Sequence, residues 1–281
     1  MEPIDLNLIR NTLLAALRED IGSGDLTSRA TIPANARAAG RFTTKEPLVV
    51  AGLPVIQEIC RLVDSDLQFK AIILDGASVA AGAILAEVRG SARSILAAER
   101  TSLNLLQRMC GIATLTHQYA GRIAGTRARI VDTRKTAAGL RVLDKYAVSC
   151  GGGMNHRMGL FDGVLIKNNH LIFHPTIERA IQEARRNLGH LVKIEIEVRT
   201  LDELRSAVDA GADVILLDNF DPDLTRKAVG IVKGRIPLES SGGVTLETAR
   251  SFAEAGVDYI SVGALTHSAP AVDIHLRVAA E

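Results

Sequence analysis

Leu6, Ile9, Leu13 and Leu17 recur at helical spacing near the start of the chain. One face of an amphipathic helix is therefore apolar, and Asp5 stands where its N-cap belongs. The pattern stops at "DIGSGDLTS", whose glycines and small polar residues read as a turn. From about 36 to 90, short β-favouring runs ("GRFTTKEPLVVAG", "LQFKAIILDG", "AILAEVRG") are separated by glycines and by a helical "LPVIQEICRLV". That mixture predicts a small α+β domain. "SARSILAAERTSLNLLQRMCG" then carries Ile95, Leu96, Leu103, Leu106 and Met109 along a long helical segment.

From about 128 the texture becomes regular. Apolar runs recur as "ARIVD", "GVLIK", "KIEIEV", "DVILLD", "IPLES" and "YISVG", the signature of parallel strands buried on both faces. "TLDELRSAVDAG" opens with a capping box, Thr200 with Glu203, and sets Leu201, Leu204 and Val208 on one face. "DPDLTRKAVGIV" offers Asp221 as a cap and Pro222 at the first helical position, and "TLETARSFAEAG" stops at Gly256. The last strands recur roughly every 21–23 residues, one βα unit each. The fold class is α/β, either a closed barrel or an open doubly wound sheet. The absence of GxGxxG favours the barrel.

Composition narrows the partners. The 281 residues are 47% hydrophobic and 23% charged, ordinary for a globular chain with a large core. A net charge of +1 gives no bulk electrostatic support for nucleic acid or a membrane surface, so any cationic site is local. Aromatics at 3%, with no tryptophan, argue against stacking platforms for single strands. No apolar stretch approaches the roughly 18–20 residues needed to span a bilayer. The first residues carry acids where a secretory leader carries lysines, and the expected compartment is the cytoplasm. Cys60, Cys110 and Cys150 are scattered without CxxC spacing, which suits thiols kept reduced.

Candidate chemistry lies where the apolar runs end. Asp132-Thr-Arg-Lys, Lys167-Asn-Asn-His, Glu197, Asp218-Asn, Glu239-Ser-Ser-Gly-Gly and Gly263-Ala-Leu-Thr-His follow successive strands. A parallel barrel brings all these ends to one face. "ESSGGV" and "SVGALTHS" offer bare backbone N–H groups that suit a phosphate, helped by a helix N-terminus. Arg134, Lys135, Arg157 and Lys167 would be cations of the same face. Like charges at about 4 Å repel by roughly 4 kcal/mol at an effective dielectric near 20, so such a cluster implies a polyanionic guest. The competing arrangement pairs them internally with Glu195, Glu197, Asp218 and Glu239. "CGGGMNHR" reads as a flexible loop whose glycines let the chain approach a ligand. "HLIFH" lacks the internal glutamate of HExxH, and no nucleophile elbow or Walker loop occurs. Cations and glycine cradles without a protein nucleophile suit substrates that react with each other.

"EDIGSGDLTS", "AERTSLNLLQRMCGIAT", "DTRKT", "GGGMNHRMGL", "IKNNH", "IEIEV", "ILLDNF", "LESSGG" and "VGALTHS" closely resemble, in order and over nearly the whole chain, the quinolinate phosphoribosyltransferase family. The resemblance implies a small N-terminal α/β sandwich over residues 1–112. It also implies an incomplete α/β barrel with the active site over 113–266, and a tail, 267–281, that returns to the N-terminal domain. It implies transfer from 5-phosphoribosyl-1-pyrophosphate to quinolinate with decarboxylation, magnesium as cofactor, and a homodimer or dimer-based hexamer. On matching positions, Arg134, Lys135, Arg157 and Lys167 hold anionic groups, Thr133 binds substrate beside them, and Lys135, Glu197 and Asp218 are the catalytic residues. Glu197 and Asp218 engage the ribose and its magnesium. Ser241, Gly242, Gly243, Gly263 and Ala264 form the 5′-phosphate cradle, and Ser240 and Val262 are further substrate-binding positions. His156 and His267 shape the site, and Arg100 is contributed by the partner chain.

Two departures from the family pattern stand out. Ala137 and Ala138 occupy a loop where a proline is usual, which is expected to loosen it, and Asn168 replaces a common acid. Two alternatives remain. One is a paralogous pyrophosphorylase linked to molybdenum uptake, disfavoured by the complete basic set. The other is a non-catalytic phosphate-binding barrel, disfavoured by Glu197 and Asp218.

Overall fold

The computed structural model describes residues 3–281, so Glu2, one of the acids read against a secretory leader, lies outside the described residues. The chain forms two compact units. The first joins the chain up to His117 with Thr136–Gly152 and Ala264–Glu281; the second joins Gln118–Lys135 with Gly153–Gly263.

The first unit opens with α1 (Leu6–Ile21), capped by Asp5 and burying Ile9, Leu13 and Leu17. "DIGSGDLTS" is not only a turn. Its Asp25 carboxylate accepts from the Ser28 N–H at 3.0 Å and starts α2 (Leu26–Thr31). Then come β1 (Arg37–Thr44), β2 (Leu48–Val49), α3 (Leu53–Val63), β3 (Gln68–Ala71), β4 (Ser78–Val79), β5 (Ile84–Ser91) and α4 (Ala92–Arg122). The strand expected along "LQFKAIILDG" stops at Ala71. Downstream, Asp75 turns to α3 and accepts the N–H groups of Gly52 and Leu53 at 2.7 and 3.1 Å.

The chain continues through β6 (Arg129–Val131), α5 (Arg141–Cys150), β7 (Val164–Ile166), α6 (Asn168–Leu171), α7 (Ile177–Asn187) and β8 (Ile194–Val198). It ends with α8 (Leu201–Asp209), β9 (Val214–Asp218), α9 (Pro222–Val232), β10 (Leu238–Ser241), α10 (Ala249–Ala255), β11 (Tyr259–Ser261), α11 (Ala264–His267) and β12 (Ile274–Ala280). In the first unit, β12-β1-β5-β3 form an antiparallel sheet, with Phe42 facing Leu276 on one side and Ala86 on the other. The tail therefore completes the N-terminal sheet. Residues 136–152, which the sequence groups with the barrel, also belong here: α5 packs on α1 and α11, and Asp144 accepts Nε and Nη2 of Arg108, each at 2.8 Å.

The second unit holds a 6-stranded sheet in the order β6-β11-β10-β9-β8-β7, and every pair in it is parallel. Among the described residues β6 and β7 do not pair, so the barrel is incomplete. All residues of β8 are buried, as parallel strands demand. Caps sit where the sequence sets them: Thr200 accepts from Glu203 N at 3.1 Å and Asp221 from Leu224 N at 2.7 Å. Register then arranges the interior. Glu197 and Glu239 both lie level with Leu216, while Ser241 lies level with Asp218 and Ser261. No described helix is long and apolar enough to cross a membrane. The three cysteines are free and buried.

Candidate active site

The basic wall grows from the end of β6. Asp132 is fully buried, and its carboxylate accepts the His156 N–H at 2.9 Å. Met154 donates its N–H to the Ile130 carbonyl at 2.8 Å, and its carbonyl accepts Asp132 N at 3.1 Å. The glycine-rich segment is thus pinned beside β6, a correction to the flexible loop expected from its composition. Its Gly151 serves packing, because a Cβ there would collide with the Ala113 carbonyl of α4. The pinned segment brings Arg157 near Arg134: burial, and then Arg134's charge, pushes Arg157 below the usual guanidinium range. Arg157 is aimed by a 2.8 Å bond from Nη1 to the Gly163 carbonyl. Thr133 accepts the Lys135 N–H at 3.0 Å and shapes the turn that carries both cations.

The acids stand opposite. Glu197 on β8 meets Lys167 Nζ at 3.2 Å, so part of the basic set is internally paired. Arg199, just past the strand, lies 3.5 Å from Asp218 and 4.0 Å from Glu197. It was not among the candidates, although its place two residues after Glu197 puts it on the same side of the extended chain. Glu195 and Glu239 lie deeper in the barrel, and their charges are felt by Arg157 and Lys167. Both acids face His156, whose Nε2 lies 2.9 Å from Glu195 and 3.8 Å from Glu239. His156 Nδ1 accepts the Arg157 N–H at 2.7 Å, which leaves Nε2 to carry the ring proton. Burial, and then the Glu195 charge, pushes the Glu239 carboxyl up to about 8. These are the described residues whose ligand atoms, all within 4.8 Å of one another, group as a metal site would.

The glycine turn after β10 is the third wall. Gly242 and Gly243 have φ of 98° and 63°, a left-handed pair that glycine adopts freely. Helix α10 begins only at Ala249, so this turn is a loop nest, whereas the second glycine segment, "SVGALTHS", does lead into a helix, α11 at Ala264.

Together these walls enclose a cavity of about 380 Å³. Thr133, Arg134, Lys135, His156, Arg157, Lys167, Glu197, Asp218, Ser241, Gly242 and Gly243 line it, with Leu165, Leu216, Asn219, Glu239 and Ser261. Other candidates lie elsewhere. Ser240 is buried on the opposite side of β10 from Glu239 and Ser241, because strand side chains alternate. Val262 is buried, its N–H bonded to the Val131 carbonyl, and Gly263 is half-buried. Neither lines the cavity. Arg100 is exposed on α4, and Ala264 and His267 sit on α11; all three belong to the first unit.

Fold and site together define an α/β-barrel protein that binds small phosphate- and carboxylate-bearing molecules. Family profiles described as quinolinate phosphoribosyl transferase, N-terminal domain and C-terminal domain, match residues 25–110 and 112–277. The chain belongs to the quinolinate phosphoribosyl transferase family. It is 44% identical over 260 residues to "Probable nicotinate-nucleotide pyrophosphorylase (carboxylating)" of Bacillus subtilis (strain 168), covering 92% of this chain and 90% of that one. It is 40% identical to a mitochondrial quinolinate phosphoribosyltransferase (decarboxylating) 2b of Nicotiana tabacum, covering 97% and 83%. The solved structure of NadC from Streptococcus pyogenes superposes with a TM-score of 0.96 at 36% identity, covering 100% of both chains.

Proposed function

We propose that this chain joins quinolinate to 5-phosphoribosyl-1-pyrophosphate and decarboxylates the adduct, yielding nicotinate mononucleotide, pyrophosphate and carbon dioxide for NAD synthesis. The observation that carries this reading is one cavity lined by Arg134, Lys135, Arg157 and Lys167, by Glu197 and Asp218, and by the Ser241-Gly242-Gly243 turn. The cations match a dicarboxylate and a pyrophosphate, the turn matches a 5′-phosphate, and the acids match a sugar that becomes positive.

The chemistry asks the protein for position and charge, with no covalent step. Quinolinate's ring nitrogen attacks the anomeric carbon as the bond to pyrophosphate breaks, so holding the two in line supplies much of the rate. Glu197 and Asp218 face the positive charge that grows on the ribose, as carboxylates do in glycoside cleavage. Arg134, Lys135 and Arg157 stabilise the anionic groups through preset charge. The carboxylate next to the now cationic ring nitrogen then leaves as carbon dioxide. Its electron pair stays on the ring carbon, which takes up one proton.

Glu197 and Asp218 present hard oxygen donors to the cavity, a set that fits magnesium. Both already face cationic side chains, so an ion there would be held largely through substrate and water. It would offset the charge of the leaving pyrophosphate. We read the enzyme as cytoplasmic, in keeping with its buried free thiols, and as a homodimer or dimer-based hexamer in which Arg100 reaches the partner's site.

The test is direct. Protein supplied with magnesium, quinolinate and phosphoribosyl pyrophosphate should release carbon dioxide and pyrophosphate in equal amounts. No turnover, or faster turnover with nicotinate, would reject the reading.

A further inference from the structure

Asn219 combines features that the reaction as described does not use. It stands directly after the Asp218 carboxylate with φ of 59°, in the left-handed region that strains an L residue. Among the described non-glycine residues only Lys233 shares that sign, and Lys233 ends a helix, where such a turn is usual. Asn219 closes no helix. Its conformation instead serves two contacts. The side-chain amide donates to Asp218 Oδ1 at 3.0 Å, leaving Oδ2 to face Arg199 at 3.5 Å. The other end of the same amide, Oδ1, fills the space where a Cβ on Gly242 would stand, so Gly242 must lack a side chain for the two to fit. The backbone repeats the link, with Asn219 N–H donating to the Ser241 carbonyl at 2.9 Å.

We propose that Asn219 is a positioning residue that ties the Asp218 carboxylate to the Ser241-Gly242-Gly243 turn, so that the sugar end and the phosphate end of one phosphoribosyl group meet receptors held at a fixed spacing. This rests on reading the cavity as a phosphoribosyl site. The physical gain is that of two linked contacts. Once the phosphate is seated, the sugar hydroxyls find their acceptor without a further search, provided the spacing is rigid. Loosening Asn219 leaves each receptor intact and loses the advantage of engaging both.

Two probes separate the linked effect from its parts. Inorganic phosphate reads the anion-binding groups of the cavity, the glycine turn and the cations, without a sugar; ribose 5-phosphate adds the sugar that the Asp218 carboxylate would meet. Calorimetry without added metal on wild type, Asn219→Gly and Asn219→Asp supplies the comparison. Glycine keeps the left-handed backbone and removes the amide. Aspartate keeps the shape and puts a carboxylate against Asp218 in place of the donor. Ribose 5-phosphate should bind both variants at least about tenfold more weakly, with phosphate affinity held within about twofold. In turnover, KM for phosphoribosyl pyrophosphate should rise while KM for quinolinate stays near the wild-type value. Equal loss for both probes alongside a lower melting temperature would show a merely structural part and overturn the proposal. Wild-type affinity of Asn219→Asp for ribose 5-phosphate would overturn it as well. The quinolinate assay on wild type fails independently of these titrations, so the two claims fail separately.

Discussion

Glu239 shows how one buried side chain makes the barrel sensitive to pH. Its folded-state carboxyl titrates at about 8, raised by burial and then by Glu195, while in the unfolded chain it loses its proton near the ordinary 4.5. Between those values the folded protein holds the extra proton, so the stability this group contributes is present at low pH and is lost as pH rises toward 8. The slope cannot exceed about 1.4 kcal/mol per pH unit for one group. Glu239→Gln should flatten the fall: urea midpoints at about pH 5 and about pH 8.5 should differ less in the variant than in wild type. An unchanged difference would place the titration elsewhere. At this scale the sequence discloses identities better than relations. Asp218 is legible because it ends an apolar run, Arg134 and Lys135 because they follow one within three or four residues, and Glu197 because it interrupts one near its end. The facing of Glu195 and Glu239 is not, because it depends on how β8 and β10 register through β9. Asn219 was hidden for a different reason: its part depends on a dihedral angle.

The elements carry their own constraint in helix α4. Gly111 sits inside it, where glycine ordinarily weakens a helix relative to alanine by roughly 0.5–1 kcal/mol. Here the sign reverses, because a Cβ at Gly111 would collide with the Pro270 carbonyl of the C-terminal tail. The tail must lie that close to reach its place: Val272 N–H bonds to the Gln107 carbonyl at 3.2 Å, and Gln107 Nε2 donates to the Ile274 carbonyl at 2.7 Å. Gly111→Ala should therefore destabilise, by about 1–3 kcal/mol in urea unfolding, as overpacking does. A stabilised variant would mean that the tail yields and that α4 does not hold it. Elements with periodic apolar faces and local caps, such as α1, α8 and α9, are readable from the chain. Helix α2 and the early end of β3 are not. The first is 6 residues long inside a glycine-rich stretch, and the second is set by Asp75 reaching Gly52 and Leu53 far upstream. Ala137 makes a related point. Without the usual proline its loop is still anchored, since its N–H donates to Asp144 at 3.1 Å.

At the scale of the whole molecule, the proposed dimer is tested through Arg100. The cavity is built from the second compact unit alone, whereas Arg100 lies exposed on α4 in the first. An exposed arginine is an ordinary surface feature unless its charge is used on another chain, and a two-fold dimer would supply such a use twice over. The arrangement makes a numerical prediction. Arg100→Ala and Lys135→Ala chains, each inactive alone, should recover activity when dissociated together and reassembled. In an equal mixture about half the dimers are mixed, and each mixed dimer has one site with both side chains intact. Recovery should thus approach about a quarter of wild-type kcat per chain, with wild-type KM values at the restored sites. If Arg100 served its own chain's site, every site in the mixture would lack one of the two side chains. Activity would then stay at the level of the separate variants however long the chains were allowed to exchange.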